Sequence, residues 1–301
     1  MEDKREKLIH LHHCRGAGWK TIQRIMALDS TLTELYSYSV SYLREQFSIR
    51  KDTAEVLHHD LHTINIKSIL GKYRKENIIP VTIYDEHYPT LLSEIFDPPW
   101  VFYCKGAQSL LQYKNTIAVV GTRDPSAVGI QSTYKLVRPL TKNNWVIVSG
   151  LAKGIDTIAH TISLTEKGKT IAVLGSGFNH IYPKQNEKLA QRIATTSLLL
   201  SEYPPHVRPQ KWQFPERNRI VSGLSRGTII IEAKEKSGAL ITADQALEQG
   251  RDVFAVPGTI VEERAVGPNR LIQQGAKLVL DINDILEEWN DDNMDRIDSI
   301  S

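Results

Sequence analysis

From Asn115 onward the chain repeats one pattern: a short apolar run, a small or acidic residue that ends it, and a longer amphipathic segment. The runs are TIAVVG (116–121), WVIVSG (145–150), TIAVLG (170–175), SLLLSE (197–202), TIIIEA (228–233), DVFAVPG (252–258) and KLVL (277–280). Helix-like segments at 129–142, 153–167 and 184–195 lie between them. A strand that is apolar at every position is buried on both faces, so the pattern calls for a parallel sheet with helices on each side. The expected class is α/β, an extended Rossmann-like, doubly wound, mostly parallel sheet over residues 113–288. Open sheets of this kind bind ligands beyond the carboxyl ends of their strands, which is where these runs finish on Gly, Ser or Glu.

The flanks read differently. Residues 1–70 show no clear strand and suggest a small all-α domain of the helix-hairpin-helix or SAM-like type. Gly16-Ala17-Gly18 separates Leu8–Cys14 from the periodic run Ile22, Ile25, Met26, and a second helical pair runs from Leu43 to Leu57. Such hairpins can offer amides to DNA phosphates; a bundle that only packs or docks is the plainer reading. Residues 71–112, with "IIPVTIYDEHYPTLL" and "DPPWVFYCKG", are expected as a connecting segment of strands and turns packed on the sheet domain. Residues 289–301 form an acidic tail, expected to be solvated.

Composition narrows the function. With 301 residues, 41% hydrophobic and 24% charged, the chain has enough apolar material for a sizeable core. A net charge of only +2 means that any nucleic-acid surface is a local patch. Two cysteines, Cys14 and Cys104, make neither a disulfide framework nor a zinc cluster and suit a reducing compartment. The start, MEDKREKLIH, has no signal-peptide core, and no apolar run approaches the roughly 20 residues of a membrane helix, so a cytoplasmic protein without a membrane partner is expected. His10, His12 and His13 point in different directions on a helix, and no metal is expected there. The chain has no P-loop, no Gly-x-Ser-x-Gly elbow, no His-Glu-x-x-His and no nucleophile-base-orienter set. The expectation is a non-enzyme with no cofactor.

Binding residues concentrate where the strands end. "IAVVGTRDPSAVG" (117–129) begins like a dinucleotide loop but carries Thr122 and Arg123 where that loop needs bare glycine backbone. Gly121 lets the chain leave the strand; Arg123 offers a fork for phosphate oxygens, unless Asp124 or Asp156 claims it. Ser149 and Gly150 close the second run, and Asp156 and His160 follow at helical spacing, best read as a structural pair that fixes the loop. "GSGFNHIYPKQN" (175–186) brings Phe178 and Tyr182 near Lys184 and Asn186, the stacking-plus-charge pairing that suits single strands. "HVRPQKWQFPERNRIVSGLSRG" (206–227) interleaves Arg208, Lys211, Arg217, Asn218, Arg219 and Arg226 with Trp212 and Phe214. Ser237 and Gly238 open a helix as a second anion site, and Glu232 stands ready to orient an arginine or a ribose hydroxyl.

Together these motifs resemble the DNA-processing protein A family (DprA, also called Smf). The resemblance is carried by "VVGTR", "VSGLAKGIDTIAH", "TIAVLGSG", "YPKQN", "SEYPP", "FPERNRIVSGLS", "EAKEKSGALITA", "GRDVFAVPG" and "GPNRLIQQGAKLV", in order, over about residues 70–285. It implies an extended Rossmann fold that binds single-stranded DNA without turnover, protects incoming DNA in natural transformation, and loads the RecA recombinase despite single-strand binding protein. The family's Gly-Ser/Thr-Arg motif falls on Gly121, Thr122 and Arg123, and its Tyr-Pro-x-x-Asn lysine on Lys184. The resemblance also implies a homodimer through residues around 265–285, with Leu271, Ile272 and Leu278 as contacts, and the chain stops short of the winged-helix domain that many members carry. Two rival readings are a nucleotide hydrolase and a small-nucleotide sensor. The hydrolase reading is weakened because "VPGTIVEE" lacks the Pro-Gly-Gly-x-Gly-Thr loop of such enzymes.

Overall fold

A computed structural model describes residues 2–289; the acidic tail expected at 289–301 lies, apart from Trp289, outside them. Five helices come first: α1 (Glu2–His13), α2 (Trp19–Leu28), α3 (Val40–Phe47), α4 (Lys51–Thr63) and α5 (Ile66–Lys75). Then follow β1 (Ile78–Thr82), α6 (Thr90–Ser93) and β2 (Val101–Gly106). The alternating part contains β3 (Thr116–Val120), α7 (Ala127–Lys142), β4 (Val146–Ser149), α8 (Ile155–Thr165), β5 (Thr170–Leu174), α9 (Glu187–Thr196) and β6 (Leu198–Ser201). It continues through α10 (Gln213–Gly223), β7 (Gly227–Ile230), α11 (Gly238–Glu248), β8 (Asp252–Ala255), α12 (Val266–Gln273), β9 (Lys277–Leu278) and α13 (Asn283–Leu286).

All nine described strands join one sheet in the order β1-β2-β6-β5-β4-β3-β7-β8-β9. From β6 to β9 every pairing is parallel, while β1-β2 and β2-β6 are antiparallel. The chain winds outward from β3 to β6, then returns to lay β7 against the other side of β3. The loops after β3 and β7 therefore diverge at a topological switch point, where an open sheet leaves a crevice.

The segment 71–112 does more than connect: its strands extend the sheet. Successive side chains of β2 point to opposite faces. Phe102 and Cys104 enter the core under α6 and α10, whereas Val101 and Tyr103 join the core of the five N-terminal helices. One hairpin thus closes two hydrophobic clusters. Cys14 and Cys104 are both buried and free. Among the described residues no helix is long and apolar enough to cross a membrane.

The three histidines of α1 each find a different partner. His10 Nδ1 meets the Tyr36 hydroxyl at 2.9 Å, His12 Nδ1 meets the Tyr103 hydroxyl at 3.0 Å, and His13 lies between the Ile9 carbonyl and the Tyr73 hydroxyl at 2.7 and 2.8 Å. Burial, with a smaller push from His206 and His10, depresses the His13 pKa to about 4. The fold thus favours neutral His13 over the unfolded chain, where histidine titrates near 6.5. Its contribution is complete above pH 6.5 and is lost as pH falls toward 4, by about 3 kcal/mol. Urea unfolding between pH 7.5 and 5 is expected to show this decline, and His13→Gln to make it shallower, the remainder coming from His12 and His160, which burial depresses to about 3. An unchanged slope in the variant rejects His13 as the titrating group.

Candidate nucleic-acid interface

The switch-point crevice is a groove of about 650 Å³. One wall is the β3 exit, Gly121, Thr122 and Arg123; the other is 234–242, the start of α11. Lys211, Phe214 and Asn218 close a third side, with Tyr182 at the far end.

The β3 exit is tied on both sides. Thr122 N donates to the Glu232 carbonyl at 2.7 Å, and Ile155 N donates to the Thr122 carbonyl at 3.2 Å. Gly154 sits at φ +87°, and a Cβ there would lie 2.3 Å from the Thr122 carbonyl oxygen. The glycines of this region thus serve close packing of backbone on backbone. Arg123 is left to point at the groove. The two carboxylates that might have paired with it are engaged elsewhere: Asp124 holds Arg264 at 3.1 Å, and Asp156 accepts from Gly150 N at 3.0 Å and Ala152 N at 3.3 Å. Among the described residues Arg123, Lys211 and Lys236 have no ion-pair partner. Lys234 pairs with Glu263 at 2.5 Å. The net result is a positive groove whose one acid, Asp156, is buried and bonded.

Several expected site residues brace the groove: Ser149, Gly150 and Asn186 lie outside its lining, and Arg217 and Asp156 line it as buried, bonded groups. Ser149 is buried and donates to the Val119 carbonyl at 2.7 Å. Asn186 is buried and donates to the Leu151 carbonyl at 2.9 Å and to Thr157 Oγ1 at 2.8 Å. Gly150 makes room for Arg217, whose guanidinium would be 2.4 Å from a Cβ at that position. Arg217 itself is only 5% exposed; its Nη1 donates to the Gly150 and Val173 carbonyls, and its Nε to Asn218 Oδ1 at 3.1 Å. Burial pulls its pKa down to about 10, Asp156 opposes that, and nearby Arg123 adds to it. Burial likewise raises the Asp156 carboxyl against the pull of Arg217. His160 is buried against Thr170 Oγ1 at 2.7 Å, so Asp156 and His160 are each bonded to the scaffold and not to one another.

Other positions depart from expectation. Arg219 faces away from the groove and holds Glu202 at 2.7 Å and Asp97 at 3.0 Å, because residues two apart on a helix point to different sides. Phe178 packs between the N-terminal core and α9. Glu232 neither orients an arginine nor stands free: it accepts from Ser126 N at 3.0 Å and from the Ser126 hydroxyl, fixing the start of α7. Leu271, expected at a dimer surface, is 4% exposed and belongs to the main core; Ile272 is partly buried against it, and Leu278 is exposed on the edge strand β9. Lys184 is exposed two residues beyond Tyr182 and is not itself part of the groove's lining. Ser237 caps α11, accepting from Ala239 N at 3.3 Å, and the space around Gly238 is open.

Lys236 was not singled out from the sequence, and Lys211, Phe214 and Tyr182 count for more than their neighbours did. Tyr182 and Phe214 lie with ring centroids 5.4 Å apart, an aromatic end to a cationic groove. The signal for Lys236 was available: a lysine just before the cap residue of a helix that follows a buried strand.

Residues 80–290 match the family model described as DNA recombination-mediator protein A. The chain belongs to that family. Over 226 residues it is 50% identical to the DNA processing protein DprA of Bacillus subtilis, covering 75% of this chain and 76% of that one. It is also 50% identical over 208 residues to DprA of Streptococcus pneumoniae, covering 69% and 73%. The crystal structure of DNA processing protein A from Streptococcus pneumoniae superposes with a TM-score of 0.83 at 39% identity, over 94% of this chain and 97% of that one. DNA processing protein A from Helicobacter pylori, whose structure is described for its single-stranded DNA binding mode, matches with a TM-score of 0.64 at 35% identity over 71% and 96%. The fold is therefore that of the family, and in this chain Gly121, Thr122 and Arg123 line the groove.

Proposed function

We propose that this protein binds single-stranded DNA along the switch-point groove and acts in the cytoplasm as a recombination mediator, shielding the strand and loading a RecA-type recombinase onto it in competition with single-strand binding protein. The observation that carries the reading is a groove lined by unpaired Arg123, Lys211 and Lys236 and ended by Tyr182 and Phe214. Unpaired cations take phosphates at any sequence, and aromatic faces take any base. A small-nucleotide site would hold one pyrophosphate flush against glycine backbone; here Gly121, Gly150 and Gly154 meet protein, and the side chains reach outward. Asp156 and His160 are bonded into the scaffold, which favours binding without turnover. The likeness to a Helicobacter pylori protein described for its single-stranded DNA binding supports the same reading.

The test is strand exchange by RecA on DNA already coated with single-strand binding protein. Added protein is expected to shorten the lag before pairing. If the lag is unchanged while the strand is bound, the mediator role falls and strand binding stands.

The protein is further proposed to act as a homodimer through the exposed edge at β9, where Leu278 is 42% exposed and Leu280 is exposed beside it. An apolar edge strand left open is a pairing template. Sedimentation is expected to give twice 34.1 kDa for the wild type and a monomer for Leu278→Glu. A monomeric wild type at high micromolar concentration rejects the dimer.

A further inference from the structure

On the far side of the 211–216 segment lies a second cavity, of about 480 Å³, between the α1–α2 turn and the sheet. Its walls are aromatic. Trp19 and Trp100 stand 6.2 Å apart and are locked by their indole N–H groups, Trp19 donating to the Pro98 carbonyl at 2.7 Å and Trp100 to the Trp19 carbonyl at 3.3 Å. Opposite them Trp212, 56% exposed, meets Tyr203 edge-on at 6.1 Å. Three carboxylates, Asp97, Glu202 and Glu216, line it beside His12, Lys20, Thr21 and Tyr203. Arg219, 7% exposed, also lines the cavity, and its Nη1 is buried with no hydrogen-bond partner.

This chemistry is the reverse of the groove's. Three carboxylates outnumber Lys20 and Arg219, and Arg219 is already held by two of them, so the cavity favours an uncharged ligand over the phosphates of a strand. Flat indole walls select a planar ligand. Glu216 and Asp97 have lone pairs to spare: among the described residues Glu216 accepts only from the Tyr203 hydroxyl at 3.1 Å, and Asp97 only from Arg219. The matching ligand is therefore flat, uncharged, rich in N–H donors, and able to offer one acceptor oxygen to the guanidinium. Guanine fits best among the bases, since it sets an O6 acceptor beside N1–H and N2–H donors. The 211–216 segment is shared, with Lys211, Phe214 and Pro215 facing the groove and Trp212 and Glu216 facing the cavity.

We infer that the aromatic-acidic cavity is a nucleobase pocket with a preference for guanine, filled by a base turned out of the strand while its phosphates stay on the groove side of the 211–216 segment. The delivery of the base rests on the strand-binding reading; recognition of the base does not.

The experiment has two arms. Guanosine and cytidine are titrated against the intrinsic tryptophan fluorescence of the full chain, and dT oligonucleotides with and without one central guanine are compared for affinity. Saturable quenching by guanosine alone is expected, together with an affinity about tenfold higher for the guanine-containing strand. Trp212→Ala should abolish both effects and keep binding of the all-thymine strand; Trp212→Phe should restore part of the preference. A wild type that binds dT strands but neither quenches with guanosine nor prefers guanine overturns the pocket and leaves the groove intact. A wild type that binds guanosine but no oligonucleotide keeps the pocket and overturns the strand reading.

Discussion

Replacing Arg123 and Lys184 together by alanine is expected to weaken binding of a dT oligonucleotide by about 3 kcal/mol, roughly a hundredfold. Each cation contributes one charge-assisted contact, and neither is held by a carboxylate in the free protein, so no internal ion pair must break first. The mutant should also lose salt sensitivity. A single strand releases about 0.7 counterion per phosphate neutralised, so removing two contacts lowers the slope of log K against log salt by about 1.4. Measuring both quantities at two salt concentrations separates the site from a global effect. Weaker binding with an unchanged slope would mean that the groove was distorted, not discharged. Equal affinity for mutant and wild type would remove the groove as the strand site altogether. The fold itself should be insensitive, since Arg123 lies in a loop and Lys184 is exposed on a single 3-10 turn, and neither belongs to the cores.

The parallel sheet was legible because its strands are apolar throughout: β3, β4, β5, β6 and β7 are buried at every position. No other arrangement hides both faces of so many short runs. The β3 exit was legible for a related reason, since an arginine displaces glycine from a dinucleotide loop only if the ligand differs. The helix α10 was not legible. Its buried residues include Gln213, Arg217 and Arg219, so the apolar spacing that betrays a helix is missing, and Pro215 near its start reads as a break although the first turn tolerates proline. A stretch rich in arginine reads as a binding surface throughout, whereas Arg217 and Arg219 are buried and Arg208 and Lys211 are exposed. Arg219 and Arg217 brace the sheet edge on two sides, and the cations that stay free for a ligand lie in flanking loops. Nor could spacing show that Leu271 turns inward while Leu278 turns out; that depends on how α12 lies on β8, a tertiary contact.

Arg217 provides the sharpest separation of scaffold from ligand site. Arg217→Met is expected to cost about 3–5 kcal/mol of stability at neutral pH, the usual result of removing one member of a buried charge set. The guanidinium joins the Gly150 and Val173 carbonyls at the ends of β4 and β5, and it is the nearest positive charge to buried Asp156. Methionine fills the space but leaves both carbonyls without their donor and the carboxylate without compensation. Lysine keeps the charge and loses the fork, so Arg217→Lys should recover only part of the loss. The pH dependence identifies the mechanism. Removing the arginine raises the Asp156 pKa further in the folded chain, which penalises the fold wherever the carboxylate is ionised. The gap between variant and wild type should therefore narrow as the pH falls and Asp156 takes up its proton, leaving the cost of the lost hydrogen bonds. His13 is intact in both chains, so its own acid-side loss cancels from the difference. Denaturant unfolding of the two chains at pH 7 and pH 4.5 reads this directly. A variant with the wild-type unfolding midpoint but no strand affinity would make Arg217 a DNA ligand after all and reverse its assignment as the brace beneath the groove.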